Sequence, residues 1–152
     1  MDYNPALLVA NTILHKSFEA KLPINQMKLQ KLIYFVFKQY LKQTGDALCE
    51  EPFLAWKSGP ALRSVYETFK DFNAANINRY MLFGGEKSPR ILAGGNKEFY
   101  GAMDYVLSQY NGLSGLELKS LSSQKNGAWA KAIARQEMLI KKVDIWNEGW
   151  FT

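Results

Sequence analysis

The clearest regularity in the chain lies between residues 25 and 45. Leu29, Leu32, Ile33, Val36, Phe37, Tyr40 and Leu41 recur there at i, i+3, i+4, i+7, i+8, i+11 and i+12. That spacing describes one face of an α-helix. Asn25 stands where an N-cap belongs, and Gly45 where a left-handed glycine ends a helix. Upstream, Asn4-Pro5 opens a helix carrying Ala6, Val9, Ala10, Ile13, Leu14 and Phe18, which ends before Pro23. Downstream, Phe99, Met103, Val106, Leu107 and Tyr110 line a helix from Asn96 to the Asn111-Gly112 stop. Ser114-Gly115-Leu116-Glu117 fits a capping box and predicts a short helix to the region of Leu121. Pro60 is expected to open a helix with Leu62, Val65, Tyr66 and Phe69 on its core face, and a further helix is expected from Gly127 to Glu137.

Between these segments the helical period weakens. Phe53-Leu54-Ala55-Trp56 suits a brief strand. Tyr80–Phe83 and Ile91-Leu92 are bounded by Gly84-Gly85, Pro89 and Gly94-Gly95, and they predict a small hairpin. The tail ends in Trp146, Trp150 and Phe151, too apolar for a frayed terminus, so it is expected to dock on the body. No repeat, low-complexity tract or linker interrupts the chain. The pattern predicts a mainly α, single compact multi-helix domain over residues 1–152, with a small β-hairpin in the 50–95 region.

The 152 residues are 47% apolar and 22% charged, as in an ordinary soluble domain with a real core. Aromatics reach 14%, and such residues fill cores and anchor interfaces alike. The net charge of +5 favours an acidic partner, but the basic residues form no single block of the kind a dedicated nucleic-acid binder carries. With one cysteine, Cys49, neither an intrachain disulfide nor a cysteine zinc cluster can form. No apolar run reaches the ~18 residues of a membrane span, and MDYNPALL lacks a basic leader start, so a cytoplasmic address without membrane contact is expected.

Little points to catalysis. Cys49 and His15 are the only Cys and His, and no set of ligands has metal spacing. Gly84-Gly85-Glu86-Lys87-Ser88 lacks the spacing of a phosphate loop. No catalytic residue, metal or cofactor is expected, and the chain reads as a binding protein rather than an enzyme.

The helix opened by Asn25 carries Lys28, Lys31, Lys38 and Lys42 opposite its apolar stripe, with Phe35 in their midst. An aromatic on a solvated basic face breaks the binary pattern. Either another segment, such as the tail, covers Phe35, or Phe35 is an exposed anchor and Lys28, Lys31, Phe35, Lys38 and Lys42 form a partner-binding surface. Nucleic acid could lie on the same lysines, with Tyr34 and Phe35 stacking on bases, but no helix-turn-helix or RNA-binding signature accompanies them. Gln30 lies at the edge of the stripe. If buried, its amide needs backbone partners. Trp56-Lys57-Ser58-Gly59-Pro60 reads as a corner that locks two elements together, with Trp56 in the core.

These residues also carry a family resemblance. Lys28-Leu29-Gln30-Lys31-Leu32-Ile33-Tyr34 resembles the KLQKLLY signature of the Panacea domain, the SocA-like antitoxin family. Ala55–Pro60 with Val65-Tyr66 resembles its AWKYGPV…VY segment, and Gly127–Ala132 its small-residue-Trp-x-Lys element. Ser58 replaces a common Tyr, and Ser122-Ser123 stands where Thr-His is frequent. Residues 73–95 carry none of these motifs. The resemblance implies the antitoxin of a bacterial or prophage toxin–antitoxin system, often carried on a mobile element. Such a protein neutralises a cognate toxin by direct protein–protein interaction, and Gln30, Trp56, Gly59, Pro60 and Trp129 would hold the scaffold. Two alternatives are an adaptor delivering the toxin to a protease and a nucleic-acid-binding regulator.

Overall fold

A computed structural model describes residues 3–150. The elements are α1 (Pro5–Glu19), α2 (Gln26–Thr44), β1 (Leu54–Trp56), β2 (Gly59–Ala61), α3 (Arg63–Phe69), a 3-10 turn (Lys70–Phe72), α4 (Lys97–Tyr110), α5 (Gly115–Ser122), α6 (Ala128–Ala134) and α7 (Lys142–Asn147). The fold is mainly α, with one two-stranded antiparallel hairpin among the described residues.

α2 is the axis of the molecule. Asn25 caps it by accepting from the Lys28 N–H, and Gly45 closes it at φ 78°. α1, α3, α4, α5, α7 and β2 all pack against it. Every residue from Lys28 to Lys38 is consequently buried. An amphipathic surface helix keeps one wet face, so the expected solvated basic face is corrected: Lys28, Lys31, Phe35 and Lys38 lie inside the protein. Their stems lie along apolar surface and their amines reach polar atoms on other segments. Lys28 Nζ donates to the Asn111 carbonyl at 2.6 Å, Lys31 Nζ to the Pro60 carbonyl at 2.9 Å, and Lys38 Nζ to Glu148 at 2.8 Å. Lys42, half-exposed, donates to the Trp146 carbonyl at 2.9 Å. The lysines bind the chain to itself.

Phe35 is covered by aromatic neighbours. It stacks on Tyr110 with ring centroids 4.9 Å apart, and Trp150 lies 6.3 Å away. The tail docks here, as its composition predicted; Phe151 lies outside the described residues.

The hairpin sits earlier than expected. Leu54 pairs with Ala61, Ala55 with Pro60 and Trp56 with Gly59. Pro60 therefore lies in a strand, and α3 begins at Arg63. Leu62, just before α3, is gripped by Gln30, which accepts its N–H and donates to its carbonyl, both at 2.9 Å. Tyr80–Phe83 and Ile91-Leu92 do not pair with each other. The Asn11 side chain of α1 bonds both backbone groups of Met81 and the Arg90 carbonyl, and the Thr12 hydroxyl accepts from Leu92 N–H. Two α1 side chains thus take the place of the expected ladder. The capping box at Ser114 and Glu117 is present in full. α6 is shorter than expected, ending before Gln136, whose φ is 59°.

Candidate functional site

The two ends of α2's buried lysine row meet different surroundings. At the C-terminal end Lys38 and Glu148 form an ion pair at 2.8 Å with both side chains fully buried. Glu148 also accepts from Tyr34 Oη at 3.0 Å and from the Ala128 N–H at 2.8 Å. Burial and then the neighbouring Glu148 carboxylate push the Tyr34 hydroxyl well above its ordinary range, so it stays a donor. The Lys38 amine lies 4.1 Å from the centroid of the Trp150 ring, a cation–π contact. This end is a latch that fastens α6, α7 and the tail to α2.

At the N-terminal end α2, α3, α5 and the hairpin surround a cavity of about 520 Å³. Gln30 and Lys31 line it from α2, Trp56 and Ser58 from the hairpin, Tyr66 from α3 and Leu116 from α5. Tyr66 is 39% exposed and Leu116 67%, so two large apolar side chains stand open to solvent at its edge. Trp56 is half-buried rather than in the core. Its ring meets Tyr66 edge-on at 5.0 Å, and its carbonyl accepts from Trp129 Nε1 at 2.7 Å. Trp129 of α6 thereby fixes the backbone of the hairpin next to the cavity.

Lys31 is 1% exposed, and its Pro60 bond is the single hydrogen bond its amine makes among the described residues. Burial, with a smaller effect of Lys119, lowers its pKa to about 7. Gly59 makes room for it. A side-chain carbon there would fall 2.8 Å from Lys31 Cε, and the φ of +100° disfavours any other residue.

His15 and Cys49 are not partners. His15 Nδ1 lies 3.1 Å from Tyr80 Oη, and Nε2 lies 3.3 Å from Glu19. Burial pushes the Cys49 thiol up to about 12, which removes the thiolate that nucleophilic chemistry needs. No cluster of three or more His, Cys, Asp or Glu positioned to hold a metal occurs among the described residues. No helix there is long and apolar enough to cross a membrane.

Of the residues singled out from the sequence, Gln30, Lys31, Trp56, Gly59 and Pro60 are brought to the cavity or its frame, and Trp129 supports them. Lys28, Phe35, Lys38 and Lys42 go elsewhere, into the packing of α2. The sequence pattern gives no role to Glu148, and it places Tyr66 on a core face and Leu116 in a cap, whereas both stand exposed at the cavity. The signal for Glu148 was a lone acid between Trp146 and Trp150 in an apolar tail, facing a chain with an excess of lysines. Leu116 was masked by its place in a capping box.

The motif residues that meet at this cavity, Gln30, Lys31, Trp56 and Ser58, lie within the span matched to a known family. Residues 29–130 match the family described as "Antitoxin SocA-like, Panacea domain". Antitoxin SocA of Caulobacter vibrioides (strain NA1000 / CB15N) is 30% identical over 132 residues, covering 82% of this chain and 68% of that protein. The chain belongs to the SocA-like Panacea family. No solved structure matches it. The matched span of the Panacea domain runs from within α2 to within α6 and takes in most of the cavity's lining, with Asn25, Gln26 and Met27 just before it. The latch residue Glu148 and α7 lie beyond it.

Proposed function

We propose that this protein is an antitoxin that neutralises a toxin protein by direct binding, with the cavity between α2, α3, α5 and the hairpin as the contact site. One observation carries the choice of site: both family motifs, Lys28–Tyr34 and Ala55–Pro60, contribute to the same cavity, and exposed Tyr66 and Leu116 stand beside it. The family and the 30% identical relative support the antitoxin role. Large exposed aromatics and aliphatics around a concave centre are the usual anchors of a protein interface. A stable complex buries about 800 Å² on each partner, so the contact extends past the cavity onto its surroundings. The buried lysines give nucleic acid no basic face to lie on, and Tyr34 and Phe35 are not available for stacking.

The test is coexpression with the toxin encoded beside this gene. Wild-type protein is expected to restore growth and to copurify with the toxin. The double variant Tyr66→Ala, Leu116→Ser is expected to keep its fold by circular dichroism and lose at least tenfold in affinity, about 1.4 kcal/mol. Unchanged rescue by that folded variant would move the contact site elsewhere. Toxin abundance is expected to be the same with and without the antitoxin. A shortened toxin half-life would instead favour delivery to a protease.

A further inference from the structure

Lys31 is a buried amine with no counter-ion among the described residues. Among the described residues no carboxylate pairs with it, whereas Lys38, two turns along the same helix, has Glu148. An ammonium carries three N–H donors, and buried charges are normally paired. Here one donor is spent on the Pro60 carbonyl, and the residue lines a cavity of about 520 Å³. That volume is within the usual range for ligand pockets. The remaining walls are largely apolar, with Met27, Trp56, Ala61, Tyr66 and Leu116 among them. The cavity therefore couples one unsatisfied cationic centre to an aromatic and aliphatic surround.

We infer that the cavity receives an acidic-apolar segment of the toxin, in which a Glu or Asp carboxylate seats on the Lys31 amine and the adjoining apolar side chain packs against Trp56, Tyr66 and Leu116. This rests on the cavity being the toxin-facing site. Charge complementarity selects the occupant. Lys119 of α5 adds positive potential beside Lys31, and the chain as a whole carries +5. A carboxylate provides the ion pair that the protein itself withholds, and in a site shielded from water that pairing discriminates strongly against a neutral isostere. Ser58 lines the cavity beside Lys31, and Gly59 packs directly against the lysine stem.

Seating a carboxylate favours the charged form of Lys31, which burial holds at about 7, so the segment binds with uptake of a proton above that pH. One charged group acts on the amine, Lys119 of α5; Tyr66 of α3 lines the same cavity, β2 has no titratable side chain, and Lys28 on α2 is turned to Asn111.

The test uses the full chain with its lysine side-chain carbons observed by NMR. It is titrated to about 10 mM, a range that reaches weak millimolar binding, with capped Ac-Leu-Glu-Phe-Leu-NH₂ and with its Gln counterpart. The Glu peptide is expected to shift the Lys31 resonance, to raise the pH at which it titrates, and to bind at least tenfold tighter than the Gln peptide at pH 6.5. That preference is expected to shrink towards pH 8.5 and to vanish in Lys31→Met. Equal binding of the two peptides, no binding of the Glu peptide, or a Lys31 titration that the peptide does not move would each overturn the inference. Because the Lys31 readout comes from wild-type protein, a misfolded Lys31→Met leaves the test intact. If the Tyr66→Ala, Leu116→Ser variant loses the toxin while the peptides show no carboxylate preference, the contact site stands and this inference falls. If the preference holds while that variant still neutralises toxin, the carboxylate site stands and the toxin contact lies elsewhere.

Discussion

Lys31 and Lys38 differ by seven positions on one helix, point to the same side, and are both almost wholly buried, yet their surroundings are opposite. Lys38 has a carboxylate at 2.8 Å, a carbonyl at 2.9 Å and the face of Trp150 at 4.1 Å. Lys31 has one carbonyl and a cavity. Burial lowers the pKa of both, but at Lys38 Glu148 works against the shift, while at Lys31 the nearest charge, Lys119, adds to it. A buried charge whose partners come from its own chain is a structural device. One with a single acceptor among the described residues, beside a cavity, is the place where an external group would add most. The same residue type in the same register thus serves structure at one end of α2, and under the proposal above recognition at the other.

The contrast breaks most visibly at Glu148. In Glu148→Ala the buried ammonium of Lys38 loses its carboxylate at 2.8 Å, and Tyr34 Oη and the Ala128 N–H lose their acceptor. Removing one partner of a buried pair costs about 3–5 kcal/mol, so urea denaturation is expected to show a loss of that order. Replacing both ends, Lys38→Met with Glu148→Leu, is expected to recover a substantial part of it, since the buried charge is then removed together with its carboxylate. A Glu148→Ala protein as stable as wild type would show that the latch carries no weight and that the two lysines are not distinct.

At Lys31 the expected signature is a pH slope. Its folded pKa of about 7 lies below the ordinary value of 10.5. Between those values the unfolded chain holds a proton that the folded chain does not, so stability rises with pH through this range. The slope approaches about 1.4 kcal/mol per pH unit once Lys31 is neutral in the fold. Above about 9 the raised thiol of Cys49 works in the opposite direction, because the unfolded thiol ionises first. Thermal or urea unfolding between pH 7 and 9 is therefore expected to show a rising contribution that Lys31→Met abolishes. A wild-type curve parallel to that of the variant would mean that Lys31 finds a compensating partner in the fold.

The local signals were legible and the long-range ones were not. Asn4, Asn25 and Ser114 each cap the helix expected of them, and Gly45 ends α2, because capping is decided within about four residues. Pro60 was misassigned because a proline suits the first turn of a helix and the edge of a strand equally, and the choice is made by its pairing with Ala55. The lysine face was misread for a similar reason. Nothing within α2 says that Asn111, Pro60 and Glu148, from 29 to 110 residues away, supply its acceptors. The cavity was half-legible. Its motif residues could be read from α2 and the hairpin, but Tyr66 looked like core and Leu116 like part of a cap.

Lys42 completes the row as the control, and it carries the smallest expected effect. Its amine donates to the Trp146 carbonyl in an exposed setting, so water replaces the donor when the side chain is shortened or neutralised. Lys42→Gln is accordingly expected to shift the unfolding free energy by no more than about 0.5 kcal/mol, with no change in the pH slope between 7 and 9. The value of the variant is in its ordering. If the lysines matter through net charge alone, Lys42→Gln and Lys31→Met remove the same +1 and the two proteins behave alike. If surroundings decide, as the structure of α2 implies, the effects fall from the Lys38 pair to Lys31 with the loss of the carboxylate, and from Lys31 to Lys42 with the loss of burial. A destabilisation by Lys42→Gln comparable to that of breaking the latch would show that the tail is held by its backbone contact with Lys42, with the buried ion pair adding little.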